Sequence, residues 1–176
     1  MNRDNTNGDK DDESRFILGY ENFLQRAEQT LVSTTRRTEG ALKHALEVAR
    51  EKAVELGELT QEEAEKIHGF VTRDLHSAGE HLAEKERAIT DWLHLGVLVV
   101  EKALLNRFTA LSQAAKLELV HLKKAKQRLD EWHTGEITTI GTLCCTNCGK
   151  QIHFEHVGRI PPCPECHATV FKRVRT

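Results

Sequence analysis

Proline is nearly missing from this chain, and where it is missing matters. Its three prolines, Pro161, Pro162 and Pro164, sit together near the C-terminus, and none falls between Arg15 and Trp132. A proline inside a helix removes a hydrogen bond and clashes with the preceding turn, so this absence fits an uninterrupted helical body. Aromatic residues make up only 5% of the sequence, too few for a thick aromatic core. No long hydrophobic run is present. The longest, "WLHLGVLVV" at Trp92–Val100, includes His94 and meets Glu101 and Lys102 at once. It is about half the ~20 apolar residues that a membrane-spanning helix needs. The first residues, "MNRDNTNGDKDDES", contain no apolar segment of the secretory type. These absences lead to the expectation of a soluble, cytoplasmic protein with no membrane association. Its thiols should be reduced, so that clustered cysteines point to metal or catalysis before disulfides.

Nor is there an excess of either charge. A net charge of −2 argues against nucleic-acid binding by bulk electrostatics. The charge is unevenly placed, however: residues 142–176 carry five basic side chains against two acidic ones. Charged residues reach 30% overall, a composition suited to long solvated helices.

Residues 1–14 are polar and read as a disordered tail. Beyond them, Phe16, Tyr20, Phe23, Ala27 and Leu31 recur at helical spacing. The polar "STTRRTEG" up to Gly40 then interrupts or frays this helix. Leu42, Leu46, Ala49, Ala53 and Leu56 form a heptad seam, which Gly57 is placed to end. Thr60 and Glu63 have capping-box spacing, with Leu59 and Ala64 as the flanking staple, so "ELGELTQEEA" predicts a helix–turn–helix corner. A second seam, Ala64, Ile67, Val71, Leu75, Ala78 and Leu82, should lie antiparallel to the first. Thr90 can cap a further helix, whose stripe runs from Leu104 through Phe108, Leu111, Ala115, Leu119, Leu122 and Ala125 to Leu129. Packing explains such stripes better than a cofactor pocket does. After Gly135 the period changes to that of strands in "EITTIGTL".

The chemistry is concentrated in "CCTNCGKQIHFEHVGRIPPCPECH", Cys144 to His167. Cys145 and Cys148 form one C-x-x-C pair, and Cys163 and Cys166 a second. Two such knuckles can close a tetrahedron of thiolates around one zinc, each at about 2.3 Å. Gly149 follows the first pair, where a knuckle wants a positive φ. Strand-like segments between and after the pairs complete the layout of a zinc ribbon. Four thiolates leave no open position, so one Zn2+ in a structural role is expected. About 35 residues bury too little apolar surface to offset an ordering cost of roughly 1.5 kcal/mol each, and the segment should unfold without its metal. "CPECH" also matches the haem-attachment pattern. That chemistry requires export and leaves the first pair unexplained, and a thioredoxin-like use lacks its βαβ context. Cys144 is a spare thiol, since the spacing favours Cys145. His68, His76 and His81 read as residues of solvated helix faces.

The corner "GELT", together with "HTGEITTIGTLCCTNCGK" leading into "PPCPECH", resembles the YbeL-like zinc-ribbon family of bacterial proteins. The resemblance covers about residues 15–176 and is strongest over His133–Cys166. It departs at the doubled Cys144-Cys145, at His167 where a glycine is commoner, and in the polar tail. It implies an N-terminal helical region, a C-terminal ribbon and zinc at Cys145, Cys148, Cys163 and Cys166. It implies no activity.

The expected fold class is therefore mainly α. An extended antiparallel helical hairpin or coiled-coil-like bundle should occupy residues 15–134 and a small β zinc ribbon residues 135–176. With no convergent catalytic groups outside the cysteines, the leading expectation is a non-enzymatic interaction protein whose hairpin docks on a protein partner. Hairpin-plus-zinc proteins that bind RNA polymerase or ribosomes share that architecture by analogy alone. An alternative is nucleic-acid binding by the ribbon through Lys150, Arg159, Lys172, Arg173 and Arg175, extended by "HLKKAKQR" at His121–Arg128, with Phe154 or Phe171 stacking on a base. The cage's own charge of about −2 weakens that alternative, and the two phenylalanines serve a ribbon core more naturally. A thiol redox switch at Cys144 is a third class. The helical stripes also suit self-association into a homo-oligomer.

Overall fold

The computed structural model describes residues 5–33, 40–85, 102–118 and 130–174, with side chains described over 11–33, 40–80, 103–115 and 130–174. Among these residues four helices come first: α1 (Asn5–Ser33), α2 (Ala41–Glu55), α3 (Gln61–Lys85) and α4 (Lys102–Glu118). Six short strands follow: β1 (Trp132–His133), β2 (Ile137–Thr138), β3 (Gly141–Cys145), β4 (Gln151–Phe154), β5 (Gly158–Arg159) and β6 (Val170–Arg173). The fold is mainly α with a small C-terminal antiparallel β part, as the sequence predicts.

The corner between α2 and α3 forms as its residues dictate. Gly57 takes a left-handed φ of 69°. Its N–H donates to Val54 O at 3.0 Å, while the Glu58 N–H donates to Ala53 O at 3.1 Å. This is the paired bonding of a glycine-terminated helix. On the other side, Thr60 N donates to Glu63 Oε2 at 2.8 Å and Glu63 N to Thr60 Oγ1 at 3.2 Å, a reciprocal capping box. The Thr60 N–H holds the Glu63 carboxyl below the usual carboxylate range. The two helices run antiparallel: Arg50 meets Glu65 at 3.5 Å and Glu47 meets His68 at 3.8 Å, one partner rising in number as the other falls.

The stripes pack as expected over most of their length. Tyr20, Phe23, Leu24 and Ala27 of α1, Leu42, Leu46 and Ala49 of α2, Ile67, Val71 and Leu75 of α3, and Leu104, Phe108 and Leu111 of α4 share one buried cluster. Leu56 departs from the expected seam. It is 61% exposed at the end of α2, and Leu59, after the turn, is buried instead. Leu56 keeps a helical φ of −79° and its N–H donates to Lys52 O at 3.0 Å, so its exposure comes from its place at the helix end, beyond which Leu59 covers the core. The helix α1 approaches the corner closely at Gly19, where an added Cβ would lie 3.0 Å from Ile67 Cδ1 and 3.1 Å from Leu59 Cδ2.

Two expected boundaries shift. α1 begins at Asn5, so residues 5–14 continue a helix rather than form a disordered tail. Arg15 pairs with Asp12 at 3.6 Å and with Glu63 on α3, and a helix nucleated on packed residues propagates cheaply into polar ones. At the other end, β1 starts at Trp132, ahead of the expected ribbon start at 135, because Trp132 pairs with Phe171 and His133 with Val170. The stripe beyond Ala115, Leu82, His81, Thr90, Trp92–Val100 and His121–Arg128 lie outside the described residues or side chains. So does much of "STTRRTEG", although α1 ends at Ser33 and α2 starts at Ala41.

The strands form a four-stranded sheet in the order β1-β6-β3-β4 and a two-stranded sheet of β2 with β5. The ribbon is not a separate body hung from the helices. Its own cluster is Trp132, Leu143, Cys145, Ile160, Cys163 and Phe171. Ile137, Ile140 and Val157 instead join the helical core. No described helix is long and apolar enough to cross a membrane.

Candidate metal centre

The two knuckles have the same construction. In the first, Cys145 N donates to Lys150 O at 2.8 Å and Gly149 N to Cys145 O at 3.0 Å. In the second, Cys163 N donates to Ala168 O at 3.0 Å and His167 N to Cys163 O at 2.9 Å. Each turn needs a left-handed residue directly after its second cysteine. Gly149 supplies a φ of 77° and His167 a φ of 58°, the one positive φ among the described non-glycine residues. His167 is thus required by backbone geometry at a glycine-like position, and it does not act as a ligand.

The sulfurs of Cys145, Cys148, Cys163 and Cys166 lie within 4.8 Å of one another. Cys145 Sγ is 3.6 Å from Cys166 Sγ, and Cys148 Sγ is 3.5 Å from Cys163 Sγ. A tetrahedron with metal–sulfur bonds of about 2.3 Å has edges of about 3.8 Å, so the four atoms fit around one cation. They are too far apart for a disulfide, whose bond is about 2.05 Å. The convergence of both pairs is what a metal site requires and what a haem attachment would not need. Among the described residues this is the single group of side chains able to hold a metal. It is a structural metal site, with every tetrahedral position taken by the protein.

Polar groups around the sulfurs favour the thiolate at Cys166. The Asn147 side chain and the Ala168 N–H bring the Cys166 thiol down to about 6. The Lys150 N–H acts in the same direction on Cys148, but the neighbouring sulfurs of Cys166, Cys163 and Cys145, with partial desolvation, push that thiol up to about 12. Four sulfurs this close cannot all carry charge alone, and a divalent cation removes the conflict. Cys144 stands outside the cluster. Its thiol donates to Gly149 O at 3.4 Å on the opposite face of β3.

The cations proposed for nucleic acid fall in different surroundings. Lys150 and Lys172 are exposed, Arg159 stacks 5.8 Å from the Phe16 ring of α1, and Arg175 lies outside the described residues. Arg173 overturns the expectation. Its side chain is fully buried, donating to Thr138 Oγ1 at 2.9 Å and Ile140 O at 3.4 Å and lying 3.8 Å from Asp74. A strand-end arginine turned inward cannot reach a phosphate. Phe171 is buried and Phe154 packs against the ribbon core, as the core reading predicts.

Arg173 leads to a feature that the spacing of residues did not announce. Asp74 of α3 is wholly buried and accepts from Tyr20 Oη at 2.7 Å, Trp132 Nε1 at 2.8 Å, Thr139 N at 2.9 Å and Thr138 Oγ1 at 3.0 Å. Arg73 Nε lies 3.3 Å away, and the same guanidinium pairs with Glu136 and donates to Ile137 O at 3.3 Å. Arg73 and Arg173 each lie over the Trp132 ring, at 4.9 Å and 5.2 Å. Burial pushes the Asp74 carboxyl up, but Arg73, Arg173, the Thr139 N–H and Tyr20 outweigh it and hold the group below its ordinary range. Burial lowers Arg173 to about 10 and, with Asp74 adjacent, raises the Tyr20 phenol well above its usual value. Asp74 falls within the apolar arc of the Val71–Ala78 stripe, and a carboxylate there is the signal that a buried partner was needed.

Comparison with known proteins agrees with this centre. Residues 29–175 match the family model described as "Zinc-ribbon containing domain". "Uncharacterized protein YbeL" of Escherichia coli strain K12 is 24% identical over 144 residues, covering 82% of this chain and 89% of that protein. The proteins of the same name from the O6:H1 and O157:H7 strains match equally. No solved structure matches the chain significantly. With the match spanning both knuckles and most of the helices, the chain belongs to the zinc-ribbon containing domain family.

Proposed function

We propose that this is a non-enzymatic interaction protein in which one structural Zn2+ fixes the ribbon and the helical body docks on a protein partner. Borderline-soft zinc suits a tetrahedral set of four thiolates, and its lack of redox chemistry suits a scaffold role. The observation that carries the docking reading is the outer surface of the helices. Leu18 and Val32 are 56% and 76% exposed on α1, and Leu56 is 61% exposed at the end of α2. Leu18 and Val32, fourteen residues apart, fall within about 40° of each other around the helix. They project from a body that the Asp74 network ties to the ribbon, so a partner would meet a preformed surface.

In-cell crosslinking followed by affinity purification and mass spectrometry tests this reading. A stoichiometric protein should be recovered with the wild type and lost with the Leu18→Glu, Val32→Glu double variant. Recovery unaffected by the double variant would place docking elsewhere. Recovery of no partner would contradict the reading. Nucleic-acid binding is the weaker alternative, since Lys150 and Lys172 are the described ribbon cations that remain free to face solvent.

A further inference from the structure

Asp74 draws its partners from both halves of the molecule. Tyr20 and Arg73 belong to the helices, whereas Trp132, Thr138, Thr139 and Arg173 belong to the C-terminal segment. A continuous line of bonded groups runs from the metal knuckles to this carboxylate. In the first knuckle, the Thr146 N–H and Oγ1 both donate to Val170 O of β6, at 3.1 Å and 3.0 Å. Next along β6, Phe171 pairs with Cys145 of β3, and two residues further Arg173 reaches Asp74. The ribbon's own core consists of six buried residues, two of which, Cys145 and Cys163, are metal-site cysteines. With the sulfurs unclamped, little apolar surface remains to keep β3 and β6 paired. Release of β6 withdraws Arg173 from Asp74 and, with it, the strand that holds Trp132. Ile137, Ile140 and Val157, which complete the helical core, then lose their anchorage.

We propose that metal binding at the four thiolates seats the ribbon as a cover on α1 and α3, with Asp74 as the positioning residue that links ribbon folding to the helical body. The link is reciprocal, as any coupling between two sites must be: the metal tightens the helices, and an intact Asp74 tightens metal binding. This inference rests on the metal site and not on the docking reading, so either can fail alone.

Hydrogen exchange read by mass spectrometry on the full chain, before and after extraction of the metal, tests the first direction. Amides of residues 20–27 and 67–75 should lose protection by tenfold or more on extraction and regain it when Zn2+ is restored. A change confined to residues 130–174 would overturn the proposal. Competition with a chromogenic chelator tests the second direction. Asp74→Asn, far from the sulfurs in sequence, should weaken Zn2+ binding at least tenfold, while Lys172→Ala, exposed beside Arg173, should leave it unchanged. Should Asp74→Asn not fold, Thr138→Val removes a single hydroxyl from the same carboxylate and should weaken binding severalfold. Wild-type affinity in a folded Asp74 or Thr138 variant would equally overturn the link.

Discussion

Asp74 and His167 are the residues whose surroundings demand most of them. A buried carboxylate facing two guanidiniums is worth little net stability as a pair, yet removing one partner leaves uncompensated charge in the core. Asp74→Asn is therefore expected to destabilise the metal-loaded protein by about 3–5 kcal/mol, read by denaturant unfolding. The same group sets an acid limit. Its folded pKa is depressed, so its contribution is fully present above the ordinary carboxylate pKa of about 3.9 and is lost as pH falls through the folded value. Wild-type stability should fall more steeply below about pH 4 than that of Asp74→Asn. At His167 the left-handed φ of 58° strains a residue with a Cβ, and His167→Gly should stabilise the loaded protein by about 1 kcal/mol. Gly149→Ala, at the matching position with φ 77°, should destabilise by a similar amount. Thermal unfolding of the two variants checks the opposed signs.

Among the elements, the corner between α2 and α3 was the most legible, because every bond in it is local. Gly57, Thr60 and Glu63 each act within five residues of their partners, and the structure forms both the glycine termination and the capping box. Thr60→Ala should cost about 1 kcal/mol, measurable by chemical denaturation. Gly19→Leu tests the close approach of α1 to that corner and should cost about 1–3 kcal/mol through overpacking against Ile67 and Leu59. The knuckles were legible for the same reason, since C-x-x-C spacing is itself a local geometry. Strands β1 and β5 were not. Each has two residues and exists because distant residues, Phe171 and Val170 for β1 and Ile137 and Thr138 for β5, lie alongside it. No local period announces a strand of that length.

At the scale of the whole molecule, the division into a helical body and a ribbon was readable, and their union was not. The charge of Arg173 suggested a surface, but whether an arginine faces water or a buried aspartate depends on a contact spanning 99 positions of sequence. Trp132, at the point where helical spacing ends, and Tyr20, a phenol within an apolar stripe, were the available hints, because buried indole and phenol groups take hydrogen-bond partners. The fold thus has one core for the helices and part of the ribbon, a second small core around the knuckles, and a buried carboxylate between them. The proposed union of the two rests on one cation held by sulfur. X-ray absorption at the metal edge of purified full-length protein, with elemental analysis of the same sample, measures that most directly. The account predicts one zinc per chain with four sulfur neighbours at about 2.3 Å. Metal-free protein with both knuckles still folded, or a metal with nitrogen or oxygen in place of any of these sulfurs, would contradict it.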